Sequence, residues 1–162
     1  MNFEELELQG GYLINLDKFE DHRGFNSRFF CEQDFKSINL NQHWKQINNT
    51  FNLRKATLRG LHFQREPYSE IKLVRCISGS IWDVMVDIRI DSPTFSKYVA
   101  RELNAENRSM MYVPKGFAHG FLSLTDKTEV IYMVSEAYNK PYECGIIWND
   151  PDLNIKWPIT PK

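Results

Sequence analysis

The chain has 162 residues, the size of one domain that can bury a core without disulfide or metal staples. With 20 basic and 21 acidic residues its net charge is −1, which argues against a general nucleic-acid binder. No apolar run approaches the roughly 18 residues of a membrane span, and the acidic stretch from Met1 to Gln9 lacks the basic-then-apolar order of a signal peptide.

Taken in chain order, alternating apolar and polar residues predict strands at Gly11 to Leu16 and Phe25 to Phe30, and Gln33 to Ile38 reads as a short helix. Further strands are predicted at Leu58 to Gln64, Ile71 to Ile77 and Ile81 to Ile90. In the last of these, Trp82, Val84, Val86 and Ile88 fall on one face, with Asp83, Met85, Asp87 and Arg89 on the other. The Ser78-Gly79-Ser80 turn is expected to join Ile71–Ile77 and Ile81–Ile90 as a hairpin. Tyr98 to Leu103, Ser109 to Val113, Ala118 to Leu124, Glu129 to Val134 and Ile146 to Trp148 complete the set. Many short strands with a turn every eight to twelve residues imply an all-β sandwich or closed barrel. Nothing supplies the crossover helices of a parallel α/β sheet. No repeat, low-complexity tract or flexible linker interrupts residues 1–162, so a single domain is expected. The odd number of cysteines (Cys31, Cys76, Cys144), far apart in sequence, suits reduced thiols in the cytoplasm. The 14 % aromatic content fits either a large core or dimer interface, or a site that stacks a flat ring.

Four groups of residues carry chemistry. In Arg59-Gly60-Leu61-His62-Phe63-Gln64, alternation puts Gly60, His62 and Gln64 on one face. A lone interior histidine is more often a core residue than a catalyst. Lys72, however, alternates with Val74 and Cys76 on a neighbouring strand, and a lysine in that pattern must snorkel out or meet an anion. An interior histidine near an interior lysine is material for acid–base chemistry. The second group, Pro114-Lys115-Gly116-Phe117-Ala118-His119-Gly120, matches the second motif of cupin barrels. Metal cupins need three or four ligands, whereas only His62 and His119 stand in the two motifs, so a metal-free barrel is expected. The third is Asp21-His22-Arg23-Gly24-Phe25, where Arg23 beside a turn glycine could fork onto a phosphate or simply be surface charge. With Arg59, Gln46 and Asn48 it could form a diphosphate cradle. The fourth is Tyr132 with Tyr138; Tyr132 could point either way from its strand, and a phenol is a usable proton donor at neutral pH.

In this order the motifs resemble the dTDP-4-dehydrorhamnose 3,5-epimerase family over nearly the whole chain, from Phe19 to Pro158. The resemblance also rests on Lys72-Leu73-Val74-Arg75, Asp83-Val84-x-Val86-Asp87-Ile88-Arg89, Ser92-Pro93-Thr94-Phe95 and Trp148-Asn149-Asp150-Pro151. It implies an all-β, cupin-type double-stranded β-helix (a jelly-roll barrel) in a homodimer with an exchanged N-terminal strand. It implies epimerisation at C3 and C5 of a nucleotide-linked 4-keto-6-deoxy hexose or 4-keto heptose in surface polysaccharide biosynthesis, without a cofactor. His62 would be the base, Tyr132 the acid and Lys72 the group near the keto oxygen. Arg23, Arg59, Gln46 and Asn48 would surround the diphosphate, with His119 and Tyr138 also against substrate. Two departures stand out. After Trp157-Pro158 come only Ile159 to Lys162, none acidic, where the family commonly has an aspartate on the histidine; Asp83 is the candidate to orient His62 instead. Arg28 stands where the family usually has a glutamate that reads the base. A guanidinium has only donors and would oppose the N3–H of thymine, whereas guanine offers O6 and N7 together. Guanosine diphosphate sugars are therefore expected over deoxythymidine ones, and GDP-linked 4-keto heptoses have precedent among relatives of the family. The remaining readings are an epimerase acting at one centre, a ketoisomerase, a non-catalytic sugar-nucleotide binding barrel, and a metal-dependent oxygenase that the ligand count disfavours.

Overall fold

A computed structural model describes residues 1–162. Its strands are β1 (Asn2–Glu5), β2 (Tyr12–Asn15), β3 (Lys18–Asp21), β4 (Gly24–Ser27), β5 (Gln46–Asn52), β6 (Leu58–Gln64) and β7 (Lys72–Ser78). They continue with β8 (Ser80–Asp87), β9 (Tyr98–Asn104), β10 (Met110–Val113), β11 (Phe117–Ser123), β12 (Thr128–Val134) and β13 (Glu143–Gly145). A single α-helix, α1 (Glu32–Ser37), is joined by a 3₁₀ turn at Lys140–Tyr142. One sheet runs β1-β2-β10-β7-β12-β5 and the other β13-β6-β11-β8-β9. This is the all-β cupin-type architecture, a jelly roll of two facing antiparallel sheets.

Strand periodicity sorts the apolar residues into three layers. Between the sheets lie Val74 and Cys76 of β7, Met111 and Val113 of β10, and Met85 of β8. On the outside of the first sheet, Phe35 of α1 covers Leu73, Met110 and Tyr112. On the outside of the second, Ile155 covers Leu61, Val84, Val86 and Ala118. Fully burying each such side chain is worth roughly 1.5–3 kcal/mol.

Several expectations need correction. β7 and β8 are not a hairpin: they belong to opposite sheets. Gly79, the one residue between them, has φ +74° and turns the chain from one sheet to the other. A Cβ there would lie 2.4 Å from the Thr125 hydroxyl, so a side chain is excluded. The last strand is Glu143–Gly145, not Ile146–Trp148; its partner is β6, and Ile147 is 62 % exposed. The strand expected over Phe25 to Phe30 ends at Ser27 and pairs only with β3, forming a separate two-stranded arm. Strands β1, β3 and β5 carry no clear apolar alternation toward the core and are not foreseen from periodicity.

Candidate active site

The edge strand β5 of one sheet and the edge pair β13–β6 of the other border a hollow reaching into the barrel. Two adjoining cavities, about 360 and about 380 Å³, share His62, Lys72 and Tyr132 as common wall. The three residues singled out as base, cation and acid therefore converge, from β6, β7 and β12.

His62 is placed by an irregularity in β6. His119 of β11 lies opposite His62 and Phe121 opposite Arg59, so β6 carries one residue more than its partner. Gly60 makes this possible: it sits at φ +103°, and a Cβ would lie 2.6 Å from the His119 carbonyl oxygen. The extra residue brings Arg59 round to the His62 side, where strict alternation would have put it on the opposite face. Arg59 lines one cavity with His119, and its Nε donates to Oδ1 of buried Asn52 at 2.7 Å. Burial, with the positive charge of Lys72 and the proximity of His119 and Arg59, pushes the His62 imidazole down to about 3. It is therefore neutral at neutral pH, the form a proton acceptor needs.

Lys72 does not snorkel. It is 6 % exposed, and its Nζ lies 3.1 Å from Glu70 Oε1 and 3.4 Å from the His62 carbonyl oxygen. Glu70 was not anticipated; it lies in the β6–β7 loop, where periodicity says nothing about direction. Tyr132 points inward, packing beside the inner core while lining both cavities. It is flanked by Asn48 of β5 and Val74 of β7. Gln46, Asn48 and Tyr138 line the same cavity as Glu70. Gln46 Oε1 accepts the Tyr138 backbone N–H at 2.8 Å, and the Tyr138 hydroxyl donates to Glu143 at 2.8 Å. His119 is buried in the wall of the other cavity.

Three expectations are not met within the chain. Asp83 does not orient His62: its Oδ1 lies 2.9 Å from Nε2 of His119. The reason is that β11 lies between β6 and β8, so the histidine that faces Asp83 belongs to β11. Arg23 and Arg28 line neither cavity. Arg23 sits on the β3–β4 arm, paired with Asp21, and Arg28 stands 4.0 Å from Asp34 with its side chain 65 % exposed. Elsewhere too, no three His, Cys, Asp or Glu side chains gather in a metal-ligating group.

Comparison with known proteins agrees with the geometry. The profile of the family described as dTDP-4-dehydrorhamnose 3,5-epimerase matches residues 5–162. The dTDP-4-dehydrorhamnose 3,5-epimerase of Shigella flexneri is 41 % identical over 160 residues, covering 98 % of this chain and 88 % of that protein. The crystal structure of the enzyme of that name from Elizabethkingia anophelis superposes with a TM-score of 0.95 at 40 % identity, covering 98 % of this chain and 87 % of that one. The Bacillus anthracis enzyme, solved with TDP and pyrophosphate bound, gives 0.95 at 37 % identity, covering 98 % and 91 %. A shared profile over almost the whole length, and a shared fold at this identity, place the chain in the dTDP-4-dehydrorhamnose 3,5-epimerase family of carbohydrate isomerases.

Proposed function

We propose that this protein epimerises a dTDP-linked 4-keto-6-deoxy sugar at C3 and C5 by enolisation, without metal or cofactor. The carrying observation is the convergence of a neutral His62, a buried Lys72 and an inward Tyr132 on one hollow. The C4 ketone acidifies the hydrogens on C3 and C5. His62 takes one of them, and the C–H electron pair moves into the ring bond as the carbonyl pair moves onto the C4 oxygen. Lys72 stabilises that oxyanion, the kind of fixed charge that often contributes most to catalysis. Tyr132 returns a proton from the opposite face, inverting the centre. The ketone is itself the electron sink, so the chemistry closes without a cofactor. His62 and His119 are too few to close a metal site. Arg59, Gln46 and Asn48 suit the diphosphate, with His119 and Tyr138 against the rest of the substrate.

The test is proton NMR of a dTDP-linked 4-keto-6-deoxy hexose with the protein in heavy water. Deuterium should enter at C3 and C5. Tyr132→Phe should slow epimerisation more than exchange, since the base remains while the donor is lost; equal loss of both would remove Tyr132 as the acid. Exchange at C3 alone would favour a single-centre enzyme, the activity named for a structural relative described as a 3'-monoepimerase. Chelators should leave turnover unchanged.

Arg28 supports a second reading, in which the nucleotide is guanosine diphosphate and the sugar a 4-keto hexose or heptose of surface polysaccharide synthesis. Comparative binding of GDP and dTDP decides between the two; a preference for dTDP removes the guanosine reading.

A cytoplasmic homodimer completes the proposal. Cys31, Cys76 and Cys144 are free thiols. Ile47 and Phe51 on the outer face of β5 are 67 % and 54 % exposed, and Phe19 on the β3–β4 arm is 69 % exposed. Apolar groups left uncovered by one chain suit burial against a second. Such packing would also give Arg23 and Arg28 a route to a partner's cavity. Sedimentation should show a dimer.

A further inference from the structure

Glu70 is a buried carboxylate that the enolisation scheme does not use. Its side chain is 8 % exposed and lines the cavity shared by His62, Lys72 and Tyr132. Oε1 is engaged, 3.1 Å from Lys72 Nζ. Oε2 is buried and has no hydrogen-bond partner. A buried polar atom without a partner is rare in a folded protein, and a carboxylate oxygen can only accept. The missing partner must therefore be a donor. The other carboxylates on this wall are occupied: Glu136 by Lys45, and Glu143 by the Tyr138 hydroxyl.

We propose that Glu70 Oε2, turned toward the cavity about the soft terminal torsion of the side chain, accepts the C3 hydroxyl of the sugar, making Glu70 the specificity-determining residue for the C3 centre. The assignment rests on the proposed function, which puts Lys72 at the C4 ketone oxygen. The group on Oε2 must then be a neighbour of that oxygen. Of the two carbons flanking the ketone in a 4-keto-6-deoxy sugar, C3 bears a hydroxyl, while C5 bears the methyl carbon and the ring oxygen, neither of which can donate. The hydroxyl beside Lys72 is accordingly the one on C3. A hydroxyl donating to a carboxylate forms a strong, charge-assisted bond. That bond fixes the orientation of the C3–H toward the base and has no counterpart at C5. The same carboxylate, through Oε1, holds the ammonium at the ketone oxygen.

The experiment measures deuterium entry at C3 and at C5 separately, for the wild-type protein and for Glu70→Gln, with the dTDP-linked 4-keto-6-deoxy hexose. At saturating substrate, exchange at C3 should fall roughly ten- to a hundredfold, the range for losing a hydrogen bond to a charged group, while kcat for exchange at C5 stays near the wild-type value. Equal loss at both centres would mean that Glu70 acts only through Lys72, and would overturn the assignment. So would no loss at either. A wild-type protein that exchanges neither position overturns the proposed function and this inference with it. Should Glu70→Gln fail to fold by circular dichroism, the wild-type protein with the 3-deoxy sugar decides. Its kcat/KM for exchange at C5 should fall roughly tenfold or more from the loss of the hydroxyl's binding. A value equal to that of the parent sugar overturns the inference.

Discussion

In β8 the inward residues are Ile81, Asp83 and Met85, the outward ones Val84 and Val86, and both sets are buried. In β5 the inward residues are Gln46, Asn48 and Thr50, while Ile47 and Phe51 point out into solvent. Both strands obey the two-residue period, yet the polar side faces inward in β5 because the space there is an open hollow and not packed core. Alternation reports which face meets polar surroundings; it does not say whether those are bulk solvent or a binding site. The comparison teaches that a half-polar edge strand beside an open hollow reads like a surface loop in sequence.

The contrast makes graded predictions. His62→Ala, in the hollow, should lower deuterium exchange by about 10²–10⁴-fold, the usual worth of a positioned base, with the far-UV circular dichroism unchanged. Exchange at the wild-type rate would remove His62 from the reaction. On the β8 side, Asp83→Ala should cost about 1–3 kcal/mol in urea unfolding, because Nε2 of buried His119 loses its hydrogen-bond partner. Met85→Ala, in the dry core, should cost about 2–5 kcal/mol, whereas Thr50→Ala on the inner face of β5 should change stability by well under 1 kcal/mol. Similar costs at Met85 and Thr50 would break the distinction between core and hollow.

Acid should find the hollow before the core. Burial and the neighbouring Lys72 hold His62 at about 3 when folded, against an ordinary value of about 6.5 unfolded. Between these values the unfolded chain binds more protons, so the neutral imidazole's full contribution to stability is present above about 6.5 and is lost as pH falls toward 3. By pH 5 that loss is about 2 kcal/mol, and His62→Asn should lack it in urea titrations across the same window. The acid limb of kcat/KM should correspondingly lie well below 6.5. The smallest effect on a single chain is expected at the outer face of β5. Ile47→Ser should leave monomer stability within about 0.5 kcal/mol while weakening self-association in sedimentation.

The sequence by itself determined the all-β class, most strand positions and the family, because strand periodicity and the order of short motifs are local properties of the chain. It also named His62 and Lys72, an imidazole and an ammonium within alternating strand patterns, and Tyr132, whose direction alternation left open and whose role came from the resemblance. Only the tertiary structure decided which strands are neighbours. Gly79 sends β7 and β8 into different sheets, β11 comes between His62 and Asp83, and Gly60 with its extra residue turns Arg59 toward the hollow. It also showed Glu70, whose loop carries no periodicity, and placed Arg23 and Arg28 away from the cavities of their own chain. These outcomes depend on contacts between residues far apart in sequence, and a one-residue shift in a strand reverses every side chain beyond it.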